Sequence, residues 1–408
     1  MSDAPDNSAV AAATRDAPLF ALVAGEPSGD TLGAELIDAL RQARPRARFV
    51  GIAGPKMIAA GCEPWAHAEE LAFMGIAEIL AHLPRLWSLR RRMRQQLLAG
   101  RPDVFIGIDA PEFNLGLERQ LHAAGLLTVQ YVSPQVWAWR QGRVATIGAS
   151  TDLVLCLLPF ETRFYTDHGV RAQFVGHPLA DRIPLQIDRA AARAALGLAV
   201  EGSVVALLPG SRRGEVARLG ADFAATAAWL ASRRPNLKFL APMANAAASR
   251  LFAEAIARHA PGVAVQLFQG QSQVALAAAD AVLVASGTAT LETMLTGRPM
   301  VVAYRLAPLT ALLLKTLRLV KVPYFSQPNL LLGRRVVPEF FQSEVRAATL
   351  GPEMERMLDD TAYREQLQAD FAAVHRQLSC GGAARAAEAI LHRLQIQPMR
   401  LRPMQAQL

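Results

Sequence analysis

Apolar runs of about five residues recur along the chain, each closed by glycine or a small polar residue and followed by helical spacing. Leu19–Ala24 is the first; it ends at Gly25, and residues 31–43 follow with apolar positions every three or four. Short apolar runs bounded by turns read as buried strands. Their alternation with helices predicts parallel strands joined by crossover helices. Further strands are expected at 104–108, 127–132 and 152–157. Gly176-His177-Pro178 and Pro184 then break the pattern, ahead of 189–196. It restarts at 204–208 and continues through 238–241, 263–267, 281–284 and 300–303. The α/β chain thus reads as two doubly wound, Rossmann-like domains, 19–183 and 184–345. A disordered leader is expected over 1–18, and helices with a loose tail over 346–408. Two such domains facing a cleft, with ligands at the carboxyl ends of the strands, describe a two-ligand enzyme.

Composition sharpens this only in part. At 408 residues the chain is too long for one ordinary core, and 52% hydrophobic content supplies two. A net charge of +8 favours anionic partners without choosing among nucleic acid, nucleotide sugars, phosphorylated lipids and an anionic membrane. Aromatics are 6%, and no basic run is interleaved with them, which weighs against a nucleic-acid platform. Cys62, Cys156 and Cys380 are far apart and form no CxxC pair, so no metal site and a reduced compartment are expected. The first residues lack a signal-peptide pattern, and no apolar stretch reaches the roughly 18 residues that span a bilayer. Membrane contact is therefore expected to be peripheral.

Five strand-end motifs carry candidate chemistry. After the first strand comes Gly25-Glu26-Pro27-Ser28-Gly29-Asp30-Thr31, a tight turn with a helix cap; it is neither a dinucleotide nor a P-loop fingerprint. A ligand-approach loop and a plain capped turn are equally compatible with it. Asp109, just past the strand 104–108, stands where a carboxylate can act as general base; the plain alternative is a helix cap beside Pro111. Trp137 and Trp139, flanked by Gln135 and Arg140, could face a sugar or acyl group, but on the residues alone a buried aromatic pair is the favoured reading. Gly210-Ser211-Arg212 opens a helix and predicts an anion site through dipole, amides and guanidinium. Ser286-Gly287-Thr288, with Glu292 one turn into the next helix, suits a diphosphate and ribose hydroxyls, and is the most informative of the five. No D-x-D metal-holding pair occurs, so a leaving diphosphate would depend on helix N-termini and arginines.

Two basic stretches stand apart. Residues 293–338 contain no Asp or Glu but include Arg298, Arg305, Lys315, Arg318, Lys321, Arg334 and Arg335 around an apolar segment, 306–320. Lipid contact is the favoured reading of that segment. Residues 85–94 are basic, with an apolar stripe at Leu86, Leu89, Met93 and Leu97. Here a membrane surface and a core helix with a solvated face fit equally.

Taken together, these motifs resemble the lipid-A-disaccharide synthase family. The resemblance rests on AGEPSGD at 24–30, GIAGPKM at 51–57, FMGIAEIL at 73–80 and GIDAPEFN at 107–114. It continues through YVSPQVWAWR at 131–140, LPFE at 158–161, VGHPLAD at 175–181, LLPGSR at 207–212, ASGTATLE at 285–292 and PNLL at 328–331. Pro27 stands where many relatives carry Thr. The resemblance implies a GT-B fold and no cofactor or metal. It implies transfer of 2,3-diacylglucosamine from its UDP derivative to 2,3-diacylglucosamine 1-phosphate. The products are a β-1,6-linked disaccharide 1-phosphate and UDP. It also implies a peripheral enzyme at the cytoplasmic face of the inner membrane, in a family with dimeric members.

Residue by residue, Asp109 is expected as the base. Glu26, Ser28, Gly29, Asp30, Trp137 and Arg140 are expected on the acceptor side. Gly210, Ser211, Arg212, Ser286, Gly287, Thr288, Glu292 and Asn329 are expected to bind UDP. The competing readings are a peptidoglycan N-acetylglucosaminyltransferase, a UDP-N-acetylglucosamine 2-epimerase, and a nucleotide-sugar-binding scaffold without turnover. Activity on UDP-N-acetylglucosamine alone would mark the epimerase, and UDP binding without turnover the scaffold.

Overall fold

The computed structural model describes residues 17–71, 76–307 and 322–396. The leader up to residue 16, the start of the FMGIAEIL stretch, most of the apolar segment 306–320 and the tail beyond 396 lie outside the described residues. The chain divides into two units, 1–178 with 380–408, and 179–379.

In the first unit the described strands form one parallel sheet: β1 (Leu19–Ala24), β2 (Arg48–Ala53), β3 (Cys62–His67), β4 (Val104–Ile108), β5 (Leu127–Tyr131), β6 (Leu153–Cys156) and β7 (Ala172–Phe174). Their spatial order is β3-β2-β1-β4-β5-β6-β7. Alternate residues of the central strands enter opposite cores, so both faces need apolar side chains and the sequence runs are unbroken. Phe20, Leu22 and Ala24 pack with Leu36 and Leu40 of the helix Pro27–Ala43. Ala21 and Val23 face Leu89, Met93 and Leu97 of the helix Ile76–Gly100, together with Phe113 and Leu117 of the helix Pro111–Ala123. Leu89, Met93 and Leu97 of the apolar stripe in the basic stretch 85–97 are therefore core, while Leu86 is half-buried. Arg85, Arg91, Arg92 and Arg94 face outward, and Trp87 is 71% exposed.

The second unit repeats the plan with β8 (Val204–Leu208), β9 (Lys238–Met243), β10 (Val265–Gln269), β11 (Ala281–Ala285), β12 (Met300–Tyr304) and β13 (Glu339–Phe341). The described order is β10-β9-β8-β11-β12-β13, parallel throughout. Several of its basic residues serve this unit internally. Arg305 donates to Asp222 (2.5 Å) and to the Val345 carbonyl (2.6 Å), Arg298 to the Ala279 carbonyl (3.2 Å), and Arg334 to Asp370 (2.5 Å).

The C-terminal helices, grouped in sequence as one segment, part company. Ala347–Asp359 and Thr361–Leu378 stay with the second unit, whereas Gly382–Ile396 belongs to the first. The reason is its apolar stripe: Ala386, Ala387, Ile390 and Leu391 complete the core beside the helix Pro27–Ala43.

Candidate active site

Each sheet reverses its strand order once, between β1 and β4 in the first unit and between β8 and β11 in the second. Loops leaving adjacent strands at such a point diverge and open a crevice at the carboxyl ends. The expected residues collect there: 25–28 after β1, Asp109 after β4, 210–212 after β8 and 286–288 after β11.

In the first unit, Gly25 is packed so closely that a Cβ would lie 3.2 Å from Leu71 and 3.5 Å from Ala110, which brings the two loops together. Glu26 and Ser28 are exposed at the helix start. Asp109 and Ala110 both adopt positive φ, 51° and 43°. The left-handed region costs an ordinary residue roughly 1–2 kcal/mol, so the turn needs outside support. Burial raises the Asp109 carboxyl above its ordinary range and the nearby Glu26 charge raises it further, while a bond to the Ala110 amide opposes them. A carboxylate made more basic in this way is suited to accept a hydroxyl proton.

Two other residues expected on the acceptor side, Asp30 and Trp137, have structural duties. Asp30 is 4% exposed, and its two oxygens accept the amides of Lys56 and Met57, each at 3.0 Å. A Cβ on Gly54 would lie 2.4 Å from the Asp30 Cγ, so the carboxylate and that turn interlock. The Trp137 ring is 7% exposed and stands edge-on to Phe160, with its indole N–H donating to Glu161 at 3.1 Å. Trp137 is thus a buried aromatic whose indole N–H finds its acceptor inside the unit, and the side chain of Trp139 lies outside the described residues. Arg140 is exposed at the end of the same short helix.

In the second unit, the anion site expected from the amides of Ser211 and Arg212 is already filled. Glu215 Oε2 accepts both, at 3.0 and 3.2 Å. A carboxylate three residues into a helix reaching back to its start is a capping arrangement. The exposed Arg212 guanidinium is what remains for a phosphate. The loop after β11 is more open. Gly287 has a φ of 143°, and a Cβ there would meet nothing within 4 Å. Ser286 donates its hydroxyl to the Phe325 carbonyl at 2.9 Å, and Thr288 is exposed at the first turn of the helix Thr288–Leu295. First-turn amides have no intrahelical acceptors, which suits an anion. Glu292 receives the Ser272 hydroxyl at 3.4 Å; burial raises its carboxyl, opposed by that bond and by Arg182. Asn329 is wholly buried and stapled to 336–339: it donates to the Val337 carbonyl (2.9 Å) and Glu339 (2.8 Å), and accepts from the Val336 and Val337 amides (2.7 and 3.0 Å). Its side-chain donors and acceptors are thus all engaged within the unit, where they shape the neighbouring loop.

Asn114, Glu118, Gln130 and Glu161 escaped the sequence reading. A polar pair four residues apart on the inner face of an amphipathic helix was the available signal for Asn114 and Glu118.

Comparison with known proteins gives a consistent picture. The lipid-A-disaccharide synthetase family model matches residues 20–390. A lipid-A-disaccharide synthase of Xanthomonas campestris pv. campestris (strain 8004) is 53% identical over 379 residues, covering 92% of this chain and 86% of that protein. One from Pseudomonas aeruginosa (strain UCBPP-PA14) is 53% identical over 371 residues, covering 91% and 97%. Among solved structures, a UDP-GlcNAc 2-epimerase from Neisseria meningitidis bound to UDP-GlcNAc aligns with a TM-score of 0.62 at 11% identity, covering 93% of this chain and 99% of that one. A calicheamicin glycosyltransferase aligns at 0.55 and 18% identity, covering 95% and 100%. At such identities these two speak for the fold alone, which is GT-B.

Proposed function

The chain belongs to the lipid-A-disaccharide synthase family, and on that footing we propose how its residues divide the work of joining two acylated glucosamine units. It is a hexosyltransferase of lipid A biosynthesis with a UDP-sugar donor. The donor in this reading is UDP-2,3-diacylglucosamine and the acceptor 2,3-diacylglucosamine 1-phosphate.

Asp109 removes the proton from the acceptor 6-hydroxyl. The oxygen forms its bond to the anomeric carbon as the bond from that carbon to the diphosphate breaks, so α becomes β and UDP leaves with the electron pair. Glu26 and Ser28 line the acceptor side. Arg212 and the amides at 287–288 stabilise the charge gathering on the diphosphate, and Glu292 holds the ribose. What supports the reading is that each unit carries its own half of this chemistry at its strand-order reversal. Peripheral attachment to the cytoplasmic face of the inner membrane belongs to the same proposal. Exposed Trp87 among Arg85, Arg91, Arg92 and Arg94 favours it, and among the described residues no helix is long and apolar enough to cross a membrane.

The test is a mass-spectrometric assay with both lipid substrates in detergent and EDTA. Wild-type protein is expected to yield disaccharide 1-phosphate and UDP. Asn tolerates positive φ, so Asp109→Asn keeps the turn and removes only the base. A loss of about 10²–10⁴-fold in kcat with UDP binding intact is expected. Near-normal turnover by that variant would remove Asp109 from the role. Product formed only after a divalent ion is added would overturn the arginine-and-helix account of the leaving group.

A further inference from the structure

Behind Asp109 lies a buried polar set that the transfer chemistry does not use. Asn114 and Glu118 sit one turn apart on the helix Pro111–Ala123, and Gln130 stands in β5 opposite Gly107 of β4. All three side chains are fully buried.

Two of them hold the strained turn. The Asp109 carbonyl accepts from Asn114 Nδ2 at 2.8 Å and from Gln130 Nε2 at 3.2 Å, while the Asp109 amide donates to the Tyr131 carbonyl at 2.8 Å. The surroundings decide which end of each amide is nitrogen. Asn114 Nδ2 also faces the carbonyls of Val23 and Ile108 (3.4 and 3.5 Å), and Gln130 Nε2 those of Tyr131 and Val132 (3.4 and 3.1 Å). The two amide oxygens therefore point away, and neither meets a donor among the described residues.

Glu118 is the complement of Asn114. Neither of its oxygens makes a hydrogen bond among the described residues. Burial drives its carboxyl well above the ordinary range, so it carries a proton, which is a donor. A Cβ on Gly107 would stand 2.3 Å from Glu118 Oε1 and 3.0 Å from Asn114 Cγ, so it is the bare backbone at 107 that lets the acid and the amide share one pocket. A buried polar group without a partner destabilises the fold, and a leucine of similar size would avoid that cost.

We propose that Glu118 is a positioning residue for Asp109: as an uncharged carboxylic acid it supplies, over Gly107, the hydrogen that the Asn114 amide oxygen lacks, and so locks Asn114 in its grip on the Asp109 carbonyl. The inference rests on Asp109 being the base.

Glu118→Gln keeps an uncharged donor of similar shape, and Glu118→Leu keeps the volume without the hydrogen bond. E118Q is expected to retain kcat within about threefold, and E118L to lose about 10–100-fold in kcat with KM for both substrates held within about twofold, the pattern of a misaimed group rather than lost binding. In the Asp109→Asn background, E118L is expected to add little further loss, because the clamp then has no base to aim. The infrared difference between wild type and E118Q at neutral pH is expected to contain the carbonyl band of a protonated carboxylic acid. E118L at wild-type kcat, E118Q as impaired as E118L, or a carboxylate band in place of the acid band would each overturn the inference. The spectrum needs only wild type and E118Q, so it decides even where E118L does not fold. D109N assayed alone separates the two failures: an active D109N removes the base, while the infrared band still reports on Glu118.

Discussion

Glu215 Oε2 accepts the backbone amide of Ser211 at 3.0 Å, and so fills with the protein's own carboxylate a position where a phosphate oxygen was expected. The same oxygen takes the Arg212 amide, and a Cβ on Gly210 would lie 2.5 Å from the Glu215 Cβ. The loop is therefore closed around an internal anion. Glu215→Ala removes the cap and is expected to lower stability by about 1 kcal/mol, read from a urea titration. It also removes a negative charge beside the proposed UDP site, so calorimetry is expected to find UDP bound as tightly as in wild type, or up to about tenfold tighter. A tenfold weaker complex would mean that Glu215 holds the loop in its binding shape rather than competing for it.

This internal anion also illustrates what the sequence could and could not disclose. Leu19–Ala24, 104–108 and 204–208 were legible to the residue, because central parallel strands are buried on both faces and read as unbroken apolar runs. β3, β7 and β13 were not, for CEPWAH, AQF and EFF lie at sheet edges where, among the described residues, one side meets no further strand. β2 was missed although it lies inside the sheet, because Arg48 and Gly51 interrupt its apolar run. Strand-end loops were legible through their glycines and carboxylates. Which of those carboxylates are already occupied was not, since the partners of Asp30 lie 26 and 27 residues away and only the fold brings them together.

Asp30 offers the cleanest check of such internal occupation. Asp30→Ala leaves the Lys56 and Met57 amides without their buried acceptor. A loss of about 2–4 kcal/mol in unfolding free energy is expected, since each bond is to a charged group. A loss below about 1 kcal/mol would show that water or a neighbour replaces the carboxylate readily.

Glu161 ties folding to pH. Burial raises its carboxyl from the ordinary value of 4.5 to about 7, against the bonds from the Leu158 amide and the Trp137 indole that favour its charge. Between those two values the folded protein holds a proton that the unfolded chain has released. The contribution is therefore fully present below about pH 4.5 and is lost as pH rises to about 7, roughly 3 kcal/mol across the window. Glu161→Gln keeps a buried polar group that cannot titrate. The difference in unfolding free energy between E161Q and wild type is expected to move in favour of the variant from pH 5 to pH 8. A constant difference over that range would place the ionisation outside it.

The acidic limb of the activity profile should belong to Asp109, and Glu26 is the means of moving it. Burial is the first cause of the raised Asp109 carboxyl and the Glu26 charge the second. A general base works only when unprotonated, so kcat/KM is expected to fall as pH drops through the Asp109 value. Glu26→Gln removes the neighbouring charge and leaves the burial. The Asp109 carboxyl then moves down towards its ordinary range without reaching it, and the acidic limb shifts to lower pH. At a pH on that limb E26Q therefore retains a larger share of its own maximum than wild type does of its own. Glu26 is also proposed to line the acceptor side, so KM for the acceptor is expected to rise while the limb moves, and the two effects separate in a full pH series. A limb unchanged in E26Q would mean that the titrating group is not the carboxyl beside Glu26. The base would then have to be sought elsewhere at the β1–β4 crevice.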